Sequence, residues 1–131
     1  MNRQTTLPKI LDERGNLSFA ESERHIPFKI NRVHWIYDVP GGEKRGGLAY
    51  KTTEEFVIAL SGSFDVVIDD GNSIERISLN RSYYGVHIPK GTWRYIDNFS
   101  TNSVALIAAS TPYNPDDAIR DYNEFTAYVH S

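Results

Sequence analysis

The stretch EEFVIALSGSFDVVIDDGNSIERISL, residues 54–79, decides the fold class. It holds short apolar, β-branched runs separated by turn chemistry, with no helical period. Residues 54–60 close at Ser61-Gly62-Ser63, residues 64–68 close at Asp69-Asp70-Gly71-Asn72, and residues 73–79 mix apolar and polar positions through Ile74, Ile77 and Leu79. Asp-Gly between two such runs is a strong hairpin signal, because a tight reversed turn needs residues that tolerate positive φ. The same punctuation continues outward: 28–37 before Pro40-Gly41-Gly42, 83–88 before Pro89-Lys90-Gly91, then 93–96 and 103–109. Strands recurring at roughly 8–12-residue spacing predict an all-β sandwich or barrel over about residues 7–110. Only residues 116–128 predict a helix. Pro115 stands near its start, Asp116 and Asp117 suit its positive end, and Ile119, Tyr122 and Phe125 offer an apolar stripe. No repeat or linker divides the chain, so residues 1–131 are expected to form a single domain.

Composition narrows the chemistry. The 131 residues carry a formal net charge of −3, which argues against a basic nucleic-acid footprint. No apolar run approaches the ~18 residues of a membrane span, and MNRQTTLPKI lacks a signal peptide's apolar stretch, so a soluble, cytoplasmic protein is expected. Cysteine is absent, which removes thiolate nucleophiles and Cys-ligated metals. Four histidines, His25, His34, His87 and His130, remain as acid–base groups for neutral pH.

Two segments share their spacing with the double signature of the cupins, small jelly-roll barrels. Gly42 is followed by five residues, Leu48-Ala49-Tyr50, four residues, Glu55, six residues and Gly62. The second segment is Pro89-Lys90-Gly91-Thr92-Trp93-Arg94-Tyr95-Ile96-Asp97-Asn98, with Tyr83 where an opening glycine is usual. The turn residues are kept, but the metal ligands of ordinary cupins fall here on Leu48, Tyr50, Glu55 and Arg94. Leucine cannot coordinate and arginine stays protonated, so neither a metal nor any other cofactor is expected.

The chain more closely resembles the dTDP-4-keto-6-deoxyglucose 3,4-ketoisomerases, metal-free sugar-nucleotide cupins, from about Leu7 to Phe125. The resemblance is carried by Leu11-Asp12-Glu13-Arg14-Gly15-Asn16-Leu17, Ile26-Pro27-Phe28-Lys29-Ile30-Asn31-Arg32-Val33 and Arg45-Gly46. Leu60-Ser61-Gly62-Ser63, Val67-Ile68-Asp69-Asp70-Gly71, Trp93 and Ala118-Ile119-Arg120-Asp121-Tyr122-Asn123-Glu124-Phe125 extend it. It implies a jelly-roll barrel with a short C-terminal helix, a homodimer exchanging N-terminal strands, and a dTDP-linked sugar in the barrel mouth. It also implies 3,4-keto isomerisation by proton transfer through an enediol, with two catalytic histidines at the positions that Leu48 and Tyr50 occupy here.

The acid–base set must therefore differ, and the candidates are Tyr50, His87 and His34. Strand alternation points Tyr50 inward, for proton transfer or for hydrogen bonding and packing; a phenol titrates near ~10 and needs a nearby cation to act as a base. Which faces His34 and His87 occupy is open at this stage. Arg14, Arg45 and Arg94 are candidates for holding substrate charge, with Arg94 needing either Glu55 or an anionic ligand if buried. Tyr37 and Trp93 would stack a thymine or pack the barrel. The alternative reading is a non-catalytic nucleotide-sugar or carbohydrate-binding cupin in glycan biosynthesis.

Overall fold

Two five-stranded antiparallel sheets pack face to face in the computed structural model, which describes residues 3–131. The first sheet has the order β1-β9-β6-β11-β4, built from β1 (Gln4–Thr6), β9 (Tyr84–Ile88), β6 (Glu55–Ser61), β11 (Val104–Ala109) and β4 (Arg32–Tyr37). The second has the order β12-β5-β10-β7-β8, from β12 (Ala118–Ile119), β5 (Arg45–Tyr50), β10 (Trp93–Asp97), β7 (Phe64–Asp69) and β8 (Ile74–Leu79). A small hairpin, β2 (Lys9–Ile10) with β3 (Leu17–Ser18), lies apart from both. The expected all-β, jelly-roll architecture is what forms. The hairpin read at Asp69-Asp70-Gly71-Asn72 joins β7 to β8 in continuous register from Phe64↔Leu79 to Asp69↔Ile74.

Strand alternation sorts the side chains. Along β6, Glu55, Val57 and Ala59 face the barrel interior, while Phe56 and Ile58 face outward under a second cluster that includes Leu7, Ile26 and Phe28. Residues 7–30 thus cover part of the outer side of the first sheet. Gly62, at φ +67, takes the tight β6–β7 turn, where a Cβ would press on Ser100 and Ser103.

The C-terminal expectation needs correction. Residues 116–128 are not one helix. Pro115–Asp117 forms a 3-10 turn capped by Asn114, Ala118–Ile119 pairs with Tyr50 and Ala49 as a sheet edge, and the α-helix α1 spans Tyr122–Val129. The cause is Asp117. Its carboxylate is buried and accepts from the backbone N–H and hydroxyl of Thr52 (2.9 and 2.8 Å) and of Thr53 (3.0 and 2.6 Å), which fixes the chain in a bend. Burial alone would raise its pKa, but the bonds from Thr53 and Thr52 hold it below the usual 3.8. The helix starts only after Asp121, whose side chain accepts from the Glu124 N–H at 3.0 Å. It packs on the outer face of the second sheet through Phe125 against Ala49, Ile119 and Trp93. Among the described residues, no helix is long and apolar enough to cross a membrane.

Candidate functional site

One end of the barrel interior is polar, and four strands build it. Arg32 and His34 point inward from the start of β4, as Ile36 does farther down. Tyr50 and Leu48 come from β5, Glu55 from β6 and Arg94 from β10, where Arg94 pairs in register with Leu48. Asn31 fixes the entry of β4: its N–H donates to Ala109 O at 2.9 Å and its side-chain amide to Ser110 O at 2.7 Å. Arg32, His34, Tyr50 and Tyr113 line a cavity of about 240 Å3 at this end.

Below it lies a buried ion pair. Arg94 Nε donates to Glu55 Oε1 at 2.8 Å, Nη2 to Glu55 Oε2 at 3.0 Å, and Nη1 to Gly46 O at 2.7 Å. All three guanidinium nitrogens are occupied, so the alternatives posed for Arg94 resolve in favour of the carboxylate. The glycine is required: Gly46 has φ +76, and a Cβ there would collide with the Arg94 guanidinium. The Tyr50 ring lies between two cations, with the Arg94 guanidinium carbon 5.6 Å and that of Arg32 6.0 Å from its centroid. Burial pushes the His34 pKa below the usual 6.5; Glu55 opposes the shift, and the positive charges of Arg32 and Arg94 reinforce it. His34 is therefore neutral at pH 7 and has a lone pair available for a proton.

The remaining sequence candidates do not line this cavity. His87 falls in the opposite strand phase from Val86 and Ile88, so it faces outward, beside Phe28, with Nε2 donating to Glu54 Oε1 at 2.9 Å. Trp93 lies on the outer face under α1, ring to ring with Tyr122 and Phe125. Tyr37 is exposed on the outer side of β4, and Arg45 is exposed at the start of β5. Arg14 is exposed between β2 and β3, where it forks onto Asp12 at 2.8 and 3.0 Å. Sequence reasoning in turn passed over Arg32 and Tyr113. Arg32 was detectable in principle, since it stands two residues before His34 and shares its strand face.

The ligand positions of metal-binding cupins hold Leu48, Tyr50, Glu55 and Arg94, and Glu55 is engaged by Arg94. This donor set does not fit a metal. Among the described residues, no group of three or more His, Asp or Glu side chains is placed to hold one.

Fold and site together define a jelly-roll barrel whose polar lumen is equipped for acid–base chemistry on a small ligand. Residues 2–130 match the family model described as FdtA, WxcM-like, C-terminal, and the chain belongs to this family. It is 38% identical over 128 residues to the TDP-4-oxo-6-deoxy-alpha-D-glucose-3,4-oxoisomerase of Aneurinibacillus thermoaerophilus, covering 98% of this chain and 92% of that one. The crystal structure of a 3,4-ketoisomerase from Helicobacter canadensis superposes with a TM-score of 0.94 at 38% identity, over 98% of this chain and 96% of that one. A mutant 3,4-ketoisomerase from Thermoanaerobacterium thermosaccharolyticum, in complex with TDP-4-keto-6-deoxyglucose, superposes with a TM-score of 0.93 at 29% identity, over 96% and 91% of the two chains.

Proposed function

We propose that this protein is a single-domain sugar-nucleotide isomerase that interconverts the 3- and 4-keto forms of a dTDP-linked 6-deoxyhexose. The relatives supply the reaction class. The observation that carries the proposal for this chain is the cavity that His34, Tyr50 and Arg32 line together.

The chemistry needs a base with access to C3, a donor at the carbonyl oxygen, and exclusion of water. His34 takes the C3 proton, and the C3–H electron pair forms the C3–C4 double bond while the carbonyl pair moves to O4. O4 takes up a proton to give the enediol, the 3-hydroxyl then gives up its proton as the carbonyl forms at C3, and the proton held by His34 is delivered to C4. Carbonyl and hydroxyl have exchanged places with no net gain or loss of atoms. Tyr50, on the strand opposite β4, is placed to hydrogen-bond the sugar oxygens and to carry a proton between them. Arg94 acts through structure, holding Glu55 in a fixed bidentate pair. Leu48 supplies only an apolar wall.

Incubation with dTDP-4-keto-6-deoxyglucose in deuterated water tests the reading, with C3 exchange and product followed together. Deuterium at C3 and accumulation of the 3-keto sugar are expected. Saturable binding with neither would instead favour the second reading, a non-catalytic nucleotide-sugar-binding protein, for which the leucine at position 48 is the supporting observation.

The same reading includes a homodimer with exchanged N-terminal strands. Its support is the outer phase of β4, where Val33, Trp35 and Tyr37 are 48, 59 and 60% exposed, together with exposed Ile10, Leu11 and Leu17 near the N-terminus. In the isolated chain β1 pairs with its own β9, the edge an exchanged strand would fill. Light scattering at twice the monomer mass is expected; a monomer at micromolar concentration would refute this part.

A further inference from the structure

Arg32 is charged, inward-facing and incompletely satisfied. Its Nε and Nη2 are buried and have no hydrogen-bond partner, a condition shared among the described residues only by Nε of Arg3. Arg3, however, has Glu75 Oε1 at 3.6 Å. Arg32 forms no ion pair with any described carboxylate; its near neighbours are the Tyr113 ring, 5.6 Å from the guanidinium carbon, and the Tyr50 ring. Leaving two guanidinium nitrogens buried and unpaired is costly, so a cation held this way at a cavity wall points to a ligand of opposite charge.

The charge count points the same way. Glu55 and Arg94 cancel each other in a bidentate pair, and His34 is neutral. Arg32 therefore leaves one uncompensated positive charge at the mouth. The cavity, at about 240 Å3, falls below the ~300–1,000 Å3 of sites that enclose a whole drug-sized ligand, so it takes the sugar end of a nucleotide sugar and leaves the diphosphate outside.

We propose that Arg32 is a catalytic residue, its guanidinium charge facing, from the cavity wall, the sugar oxygen that is a carbonyl in the substrate and an enediolate oxygen after proton removal. The assignment rests on the isomerase reading. It gives to Arg32 the charge-holding role that Arg94 cannot fill, because the Arg94 charge is already paired with Glu55 and its side chain is buried. It also explains the pairing with His34: a cation beside the base favours its neutral form and faces the charge that the base creates.

Arg32→Met and Arg32→Lys, compared with the wild type, test this. In R32M, kcat and C3 exchange are expected to fall by ~10²–10³, the usual loss for one oxyanion donor. The Kd for dTDP alone should stay within about twofold, while that for dTDP-4-keto-6-deoxyglucose weakens by roughly tenfold. R32K should recover at least about tenfold of the lost rate, since a point charge replaces the fork only in part. The melting temperature of R32M should hold or rise, because an unpaired buried cation has been removed. A fall of more than ~5 °C in both variants would mark Arg32 as structural and overturn the assignment. Equal weakening of dTDP and the keto sugar would place the contact at the diphosphate and overturn it too, as would unchanged rate and binding. Should the wild type bind without turnover, the isomerase reading fails on its own, and the contrast between dTDP and keto-sugar binding still decides whether Arg32 holds the sugar oxygen.

Discussion

The two ends of the barrel interior are made from the same strands and solve different problems. Toward one end the inward positions are Val57 and Ala59 of β6, Val66 of β7, Ile96 of β10 and Ile107 of β11, all essentially solvent-free. Toward the other, the same strands or their neighbours supply Glu55, Arg94, Tyr50, His34 and Arg32. A shift of two residues along β6, from Val57 to Glu55, crosses from a hydrophobic core to a buried charge network. The apolar end gives the fold its stability, by removing hydrocarbon from water. The polar end draws on that stability to keep charges dry and fixed, which is what electrostatic catalysis requires.

The contrast is sharpest at Glu55. Glu55→Ala leaves the Arg94 guanidinium buried with one carbonyl for company, and a loss of about 3–5 kcal/mol in unfolding free energy is expected. Denaturant unfolding would measure it; a change below about 1 kcal/mol would mean that the pair is solvated and the interior wetter than described.

Next comes His34→Asn, which should lower kcat by ~10²–10⁴ with near-normal stability, since the lost group is a base and not a core filler. The pH dependence gives a second measurement. Burial lowers the His34 pKa from 6.5, so the acid limb of the kcat/KM profile should be displaced to lower pH and vanish in the variant. The stability sign follows from the same shift. Between the native and unfolded pKa values the unfolded chain binds more protons, so stability rises with pH through that window and levels off above it. A Tyr50→Phe exchange is smaller: about a tenfold loss in kcat for one hydroxyl contact, with little change in dTDP affinity. At the bottom of the scale, Ile107→Val in the apolar end should cost about 0.5–1.5 kcal/mol of stability and leave kcat unchanged. If I107V lowered kcat as much as Y50F, the two ends would not be functionally separable.

Much of the first half of that comparison was legible in the sequence. Turn residues at Gly62, Asp70-Gly71 and Pro89-Lys90-Gly91 separate runs that can only be short strands, and the spacing of two glycine- and proline-marked segments indicated a jelly roll. Tyr50 and Glu55 were assigned from their places in the glycine-marked spacing rather than from hydrophobic phase, since β6 is buried in both phases. On β4 hydrophobic phase misleads. Val33, Trp35 and Tyr37 are the apolar phase and would be read as the core face, yet they point outward, while Arg32 and His34 point in. Position along the chain also could not show that His87 faces away from the lumen, because Val86, His87 and Ile88 lie on a strand buried on both sides.

The sequence by itself determined the strand-and-turn pattern, the absence of thiol chemistry, the likeness to sugar-nucleotide isomerases and the departure at Leu48 and Tyr50. These are local properties, set by φ/ψ preference, side-chain chemistry and spacing along the chain. Only the tertiary structure decided that Glu55 pairs with Arg94, that His34 and not His87 shares the cavity with Tyr50, and that Arg32 is left with two buried nitrogens unpartnered. Those are properties of residues on different strands, far apart along the chain, and they exist only once packing has excluded water and fixed which charges are neighbours.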